Sequence, residues 1–316
     1  MKNLNYLLLM LVSLLFSCSN DDDGSGTNEE VSLSGFVQKN YNVSSSPNVI
    51  IDSIYYELQN NKILSAVRTN VSTSVSNNTA YDYIGNKIVS TSSFANGVMA
   101  LKNNYVYDSN DKLIEFRQES YNTSNQITAI QKHTFTHTQD TIFSQWNRST
   151  NNGVSYTNIA NFKIVLDQNQ NRTYFEEQDM INNAEERVLT TYDANSNILN
   201  EQYFNVGTNG ELTLTLTNSA TYSNFTNPLA VAMNATFGRK TLMLLYHLQT
   251  GAINNINARN LSPKTMSTFT TSFGGGEIGF EITNTPFDIN FTQMSDYKTL
   301  NAGALFSRFS LEYFFE

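Results

Sequence analysis

The chain has 316 residues, of which 19 are Lys or Arg and 28 are Asp or Glu, so its formal net charge is −9. An acidic chain of low charge density argues against nucleic-acid binding, because affinity for phosphates depends on clustered Lys and Arg. With 40% hydrophobic and 12% aromatic residues, the chain can bury a core. Frequent Asn, Thr and Ser with only four Pro residues favour strands joined by tight polar turns.

The N-terminus has the pattern of a secretory signal. Lys2 supplies a positive charge, and residues 6–16 are apolar except for Ser13. This run suits the hydrophobic region of a signal peptide and is too short to cross a bilayer as a helix. We therefore expect residues 1–17 to be removed from the mature protein.

The end of the apolar run resembles a bacterial lipobox, because Leu15-Phe16-Ser17-Cys18 places a small residue before a Cys. The resemblance implies cleavage after Ser17 and a lipid on Cys18. The alternative is an ordinary signal peptide followed by an incidental Cys. Cys18 is the only Cys in the chain, so the sequence predicts no intramolecular disulfide.

The residues after the Cys carry a second targeting pattern. Ser19-Asn20-Asp21-Asp22-Asp23 resembles the acidic export signal of Bacteroidetes-type surface lipoproteins. That resemblance implies display on the outer face of the outer membrane, with the periplasmic face as the fallback. The alternative is that Asp21, Asp22 and Asp23 are part of a solvated acidic linker. We assign residues 18–30 to the lipid-anchor linker.

Alternation of residue types predicts strands along the mature chain. Leu212, Leu214 and Leu216 alternate with Thr residues, which predicts a half-buried strand with the three leucines on one face. Asn-Gly pairs predict tight hairpins, because both residues tolerate the positive φ angles of such turns. These pairs stand at positions 96–97, 152–153 and 209–210.

A short repeat recurs along the chain. Each copy has an aromatic or apolar strand end, an acidic or polar turn and an apolar strand start, and the first three copies place Lys62, Lys87 and Lys112 at 25-residue intervals. The stretch YVYDSNDKL at 105–113 resembles the centre of a YD repeat, the Rhs-type hairpin repeat of bacterial surface and secreted proteins. YDANSNIL at 192–199 is the second-best copy. The chain as a whole resembles uncharacterised Bacteroidetes lipoproteins with such repeats.

The repeat resemblance covers about residues 53–204 and implies β-hairpins laid side by side. We therefore predict a mainly β fold, with an antiparallel curved sheet of repeated hairpins over residues 31–225. Asn227-Pro228 has the pattern of a helix start, so residues 226–316 are predicted to form a smaller α+β part. One or two helices should cover part of the sheet, whose two edges would need protection.

The sequence offers little support for catalysis. His133 and His137 could share a metal on a helix, but residues 132–143 read as a strand, which would hold the two roughly 13 Å apart. We expect both to face solvent and His247 to pack in an apolar helical run. No nucleophile elbow or phosphate loop is present. We predict no metal site and no cofactor, and an enzyme is not favoured.

Two features bear on ligand binding. The densest acidic cluster comprises Glu176, Glu177, Asp179, Glu185 and Glu186, and we expect it on an exposed hairpin face. Two carboxylates at a fixed separation would instead suit a glycosidase. Trp146 could stack on a sugar or a partner side chain. A cross-strand pair within the sheet is the favoured alternative for Trp146.

These patterns together predict a surface-exposed outer-membrane lipoprotein that is a non-enzymatic binding or structural module of the cell envelope. Its expected partners are the membrane, through Cys18, and a protein or a glycan. The alternative is a glycan-capturing or glycan-processing lipoprotein that works with an outer-membrane transporter. A cleft with Trp146 and two close carboxylates would favour the alternative, and a convex, polar, closed sheet would favour the structural role. The aromatic end at 313–315 suggests a third option, a transmembrane β-barrel.

Overall fold

The computed structural model describes residues 32–44, 48–71, 73, 75–246, 261–301 and 304–316. The predicted signal and linker, including Cys18 and the three aspartates after it, lie outside these residues, as does His247. Within the described ranges, no helix is long and apolar enough to cross a membrane.

The described residues form eighteen strands and two short helices. The first nine strands are β1 (Leu33–Asn42), β2 (Val49–Gln59), β3 (Lys62–Asn70), β4 (Ser76–Ile84), β5 (Lys87–Ala95), β6 (Val98–Tyr107), β7 (Leu113–Tyr121), β8 (Ile127–Thr138) and β9 (Thr141–Ser149). The next five are β10 (Thr157–Leu166), β11 (Arg172–Asp179), β12 (Ala184–Tyr192), β13 (Ile198–Val206) and β14 (Leu212–Thr226). Helices α1 (Pro228–Phe237) and α2 (Arg239–Leu245) precede β15 (Lys264–Phe273), β16 (Gly276–Pro286), β17 (Thr292–Asn301) and β18 (Ala304–Phe315).

The sheet closes on itself. Each strand pairs antiparallel with its neighbours in sequence, and β1 pairs with both β2 and β18. Phe36 of β1 stands opposite Tyr56 on one side and Tyr313 on the other. The mainly β, hairpin-built fold is thus confirmed, but the curved sheet with two edges is wrong. The first and last strands each satisfy the other's free backbone groups, so an up-and-down barrel results.

The barrel draws strands from both of the regions that the sequence suggested. Strand β14 of residues 31–225 pairs directly with β15 of residues 226–316. The ladder between them runs from Leu216 opposite Phe273 to Thr226 opposite Lys264. Residues 32–316 form one unit by their contacts.

On strands β7 and β8, buried aromatic side chains point into the barrel and charged ones point out. On β7, Phe116 is buried inside, while its neighbours Glu115 and Arg117 face outward. On β8, Phe135 is inside and Lys132 outside. This alternation is that of a sheet with one face on a core.

The acidic or polar turns of the repeat close by local hydrogen bonds. Asp108 Oδ1 accepts from the backbone amides of Asn110 and Lys112, both at 2.9 Å. The same pair of bonds forms at Asp167 and Asp193. The third residue after each Asp has a φ near +60°. Next to each of these turns, the pairing of the two strands shifts by one residue, which is a β-bulge.

The Asn-Gly predictions are confirmed in part. Asn96 and Gly97, with φ of 51° and 81°, form a two-residue turn between β5 and β6. Such positive φ angles match the twist of the flanking strands. The Asn-Gly pairs at 152–153 and 209–210 lie in longer loops between β9 and β10 and between β13 and β14.

The leucine alternation predicts the right strand but the wrong faces. Tyr203 pairs with Leu216, yet the next residue, Phe204, pairs with Leu214. This bulge rotates the far part of β14, so Leu212 and Leu214 are 49% and 52% exposed while Leu216 is half-buried.

The helices occupy one end of the barrel. Asn227 caps α1 by accepting from Leu229 N, with Pro228 as the first helical residue, so the predicted helix start is confirmed. Ile63 N on β3 donates to Thr236 Oγ1, and Arg239 Nη2 donates to Asn171 Oδ1 beside β11, eight strands further round. The helices therefore cross the interior instead of covering an outer face. We call this end, which also holds the repeat turns, the plugged end.

Candidate functional site

A row of rings follows the inner wall from β6 to β9. This aromatic row consists of Tyr105, Phe116, His133 and Trp146, each directly opposite the next. Successive ring centroids are 5.2, 6.0 and 5.7 Å apart. His133 and Trp146 are stacked, with 12° between their planes. Since the strands set this register, the row is a rigid feature of the wall.

A second row lies one step nearer the other end of the barrel. This amide row consists of Thr91, Asn103, Gln118 and Gln131 on β5 to β8. Asn103 Nδ2 donates to Thr91 Oγ1 at 2.9 Å, and Gln118 Nε2 donates to Asn103 Oδ1 at 3.0 Å. Gln131 Nε2 donates to Gln118 Oε1 at 3.3 Å. The chain of bonds orients the amides and fixes which groups remain for a ligand.

His133 is fully buried, so the expectation that it faces solvent is wrong. Its ring packs among Phe116, Phe135, Trp146 and Phe162, and neither nitrogen has a hydrogen-bond partner. Burial lowers the pKa of His133 to about 3, which keeps the imidazole neutral.

His137 is only half-buried, and its partner is a backbone carbonyl. Its Nε2 donates to Leu113 O at 2.7 Å. His133, on the same strand, has no such bond, and the two rings have separate surroundings.

Trp146 lies on the inner wall as the cross-strand partner of His133. Its indole is half-buried, but the Nε1 atom is buried and has no hydrogen-bond partner. Ser144, one inward position away, is 2% exposed, and its Oγ also lacks a partner. Buried polar groups in proteins are nearly always paired, with protein or with water. Trp146 Nε1 and Ser144 Oγ are therefore two unsatisfied donors at successive inward positions of β9.

The acidic cluster is divided between the two faces of the barrel. Glu176 and Glu185 point outward and share Arg187, whose Nη2 lies 2.6 Å from Glu185 Oε1 and whose Nε lies 3.5 Å from Glu176 Oε2. Glu177 and Glu186 stand directly opposite each other on the inner face and are half-buried. The expectation of a single exposed acidic face is therefore wrong for the inner pair.

The environment of the inner pair disfavours ionisation. Burial, then the charges of Glu186 and Asp179, raises the pKa of Glu177 to about 7. Burial raises the pKa of Glu186 as well. Asp179 is engaged elsewhere, because it accepts from the amides of Ile181 and Asn182 in the following turn. Its pKa is lowered by these bonds.

Solvent reaches the inner wall away from the plugged end. Gln131, Trp146, Glu177 and Glu186 all face inward, yet each is only half-buried. A barrel of about 18 strands is too wide for its own side chains to fill. We call the hollow bordered by these four residues the inner basin.

The plugged end holds a charged pair that the sequence did not reveal. Arg172 and Glu201 are 2% and 0% exposed, with Arg172 Nη2 lying 3.5 Å from Glu201 Oε1. The guanidinium also lies over the rings of Phe175 and Tyr246, at 5.2 and 4.6 Å. Removing one partner of such a pair would leave a buried charge uncompensated. Arg172 is the first residue of β11, and its partner is 29 positions further along the chain, so no local sequence pattern predicts the pair.

The plugged end also holds a cavity of about 390 Å³, lined in part by Lys87, Tyr107, Arg239 and Lys240. Within the described ranges, no group of three or more His, Cys, Asp and Glu side chains could hold a metal ion. The inner basin is the stronger candidate for a site, because an aromatic ring, an amide and a carboxylate pair all face it.

Comparisons with known proteins gave fold likenesses only. No protein-family model and no curated protein matched the chain. A porin-like protein from Bacteroides vulgatus is similar over 90% of this chain and 99% of its own, with 11% identity and a TM-score of 0.42. A porin-like protein from Bacteroides uniformis covers 90% and 96%, with 10% identity and a TM-score of 0.34. A DUF3836 family protein from Bacteroides vulgatus covers 34% and 91%, with 13% identity and a TM-score of 0.19. At these scores the likenesses support no conclusion about function or location.

Proposed function

We propose that the chain is a non-enzymatic binding module of the cell envelope whose ligand, a glycan, occupies the inner basin. The observation that carries this proposal is the pair of rows on the inner wall, with the half-buried face of Trp146 beside the amide of Gln131. Sugars combine apolar ring faces with hydroxyl groups, so flat aromatic rings and fixed amides suit them. The accessible part of the Trp146 ring would stack on the sugar, and the half-buried amide of Gln131 would bond its hydroxyls.

The location belongs to the same proposal. A lipid on Cys18 would hold the barrel at the outer membrane, and the acidic run at 21–23 would direct it to the surface. The closed outer wall, which carries charged residues such as Lys132 and Arg187, supports a module that stands beside other envelope components. Incorporation of a fatty-acid label that is lost in Cys18→Ala tests the anchor.

The binding experiment is a glycan array probed with the soluble protein from Asp21 onward. Trp146→Ala should reduce binding at least tenfold, because it removes the ring face that stacks on the sugar. Phe143→Ala is the matched control, since Phe143 is on the same strand but faces outward and is 47% exposed. Absence of binding, or equal binding by both variants, would reject the proposal.

Glycan processing is a second candidate, favoured only by the inner carboxylate pair. A carboxyl group with a pKa near 7 could act as a general acid at neutral pH. Release of reducing ends by the wild type but not by Glu177→Gln would support it.

A further inference from the structure

The inner carboxylate pair lacks the counter-charge that its outer counterpart has. On the outer face of the same two strands, Glu176 and Glu185 share Arg187. On the inner face, Glu177 stands opposite Phe162 of β10, and Glu186 stands opposite Asn205 of β13. Within the part of the chain that the structure describes, no Lys or Arg forms a salt bridge with either inner residue. The same hairpin thus gives its outer acids one shared cation and leaves its inner acids without a cation.

Like charges placed directly opposite each other on a sheet destabilise it. Half-burial adds to this cost, because the carboxylates lose part of their hydration. A positively charged ligand group would remove both penalties by pairing with the two carboxylates at once. The pair is therefore suited to bind a cation that the chain itself does not provide.

We propose that Glu177 and Glu186 bind an ammonium group of the ligand, while the Trp146 indole stacks on the same ligand's apolar face. This inference rests on the proposed glycan-binding function and narrows the ligand to an amine-bearing sugar. Trp146 and Glu177 are two strand spacings apart across the sheet and one inward position apart along the strands, so their backbones are about 12 Å apart. A single sugar ring with an amine substituent can span that distance.

Two buried residues with unpartnered polar atoms lie on the inner wall near the acids. Ser144 lies in the same cross-strand row as Glu177, with Phe162 between them. Its Oγ is unpartnered, and Ser144 is only 2% exposed. His133, fully buried in the adjacent row, has two unpartnered nitrogens. These groups are independent of the carboxylates and lie between them and the amide row.

Proton release would accompany binding. The titratable groups beside Glu177 are Glu186 and Asp179, and Phe162 and Asn205 flank the pair without charge. With its pKa near 7, Glu177 is about half protonated at neutral pH in the free protein. An ammonium group favours the ionised form, so affinity should rise roughly tenfold from pH 6 to pH 8.

The test uses an aminoethyl glycoside of a sugar that binds on the array and the N-acetyl derivative of the same glycoside. The alkyl amine stays charged between pH 6 and 8, so any pH dependence belongs to the protein. By calorimetry, wild type should bind the amine at least tenfold more tightly than the acetamide and release protons. The double variant Glu177→Gln/Glu186→Gln should lose that preference. Glu176→Gln/Glu185→Gln, on the outer face, should keep it.

The outcomes separate this inference from the function on which it rests. Equal binding of amine and acetamide, both dependent on Trp146, would overturn the ammonium site and leave glycan binding standing. Absence of binding by either glycoside and on the array would reject both. The amine-to-acetamide comparison is made on wild type, so its result does not depend on whether a variant folds.

Discussion

His133 is a neutral imidazole enclosed by aromatic rings, with a folded pKa of about 3 against an ordinary value of 6.5. Between these two values the unfolded chain binds a proton that the folded chain does not. Stability therefore falls as pH is lowered from 6.5 toward 3 and is fully present above 6.5. The loss attributable to this one group should reach about 4 kcal/mol at pH 3.

His133→Phe should remove that acid sensitivity. A phenyl ring of similar shape keeps the contacts in the aromatic row and carries no unsatisfied nitrogen, so we expect a gain of about 1 kcal/mol at pH 7. Urea unfolding at pH 7 and pH 4 measures both effects. His137→Phe is the control, because His137 makes a hydrogen bond that the change would break. If the wild type and His133→Phe lose the same free energy of unfolding between pH 7 and pH 4, His133 is not the source of the acid sensitivity.

Part of the site can be read from the sequence at this scale. Strand parity already places Phe135 on the same face as His133 and His137, and a cross-strand role for Trp146 is foreseeable. Parity does not say which face is inside. On β8, Lys132 and Thr134 share one face, and His133 and Phe135 share the other. Which of these faces lies inside the barrel depends on the strands that pair with β8. The division of the acidic cluster was missed for the same reason.

The plugged end repeats one hydrogen bond from hairpin to hairpin. The hydroxyl of Tyr83 donates to Ile63 O at 2.7 Å, and that of Tyr192 donates to Arg172 O at 2.9 Å. In each case a residue near the end of an even-numbered strand reaches the start of the preceding strand. Tyr222 bonds to Ile198 O in the same way, and His137 takes this place on β8. An aromatic residue thus ties the hairpin to its neighbour at four places round the barrel.

Tyr192→Phe should destabilise the barrel by about 1 kcal/mol, because Arg172 O would lose its hydroxyl donor inside the protein. His137→Tyr should be tolerated, since a phenol occupies the equivalent place at three other strands. Chemical denaturation of both variants measures the two changes in the free energy of unfolding. A large loss in His137→Tyr together with none in Tyr192→Phe would contradict the equivalence of these positions.

The elements themselves were largely predictable, because their signals are local. Asp193 closes its turn with amides two and four residues away, and Asn227 caps a helix that starts at the next residue. The faces of β14 were not predictable, because a bulge at Thr215 depends on the pairing with β13. The likeness of these hairpins to YD repeats stays a prediction.

At the scale of the whole molecule, closure brings the two ends of the described chain together. Glu316 N donates to Ser32 O at 2.9 Å. No sequence pattern announces this contact, because alternation specifies a strand but not a partner more than 270 residues away. The position of the helices inside the barrel follows from the same closure, and the sequence does not predict it either.

A circular permutant of residues 32–316 should therefore fold. A short Gly-Ser linker from Glu316 to Ser32 and new termini between Asn96 and Gly97 would break only an exposed two-residue turn. We expect the permutant to keep the β-sheet circular dichroism spectrum and to melt cooperatively within a few degrees of the unpermuted protein. Opening the chain instead at Leu242, which is fully buried in the plug, should abolish that transition. If the permutant opened at Asn96 stays unfolded, the closed ring is wrong.

The pairing of β1 with β18 also sets the order of events during synthesis. Leu33 stands opposite Phe315, so the backbone groups on one side of β1 stay unpaired until β18 has been synthesised. A contact this distant in sequence carries a large loop-closure entropy, which makes ring closure a slow, late step. Until it happens, β1 exposes a row of free backbone donors and acceptors. A chain released before its last dozen residues would keep that row and could pair with another copy of itself.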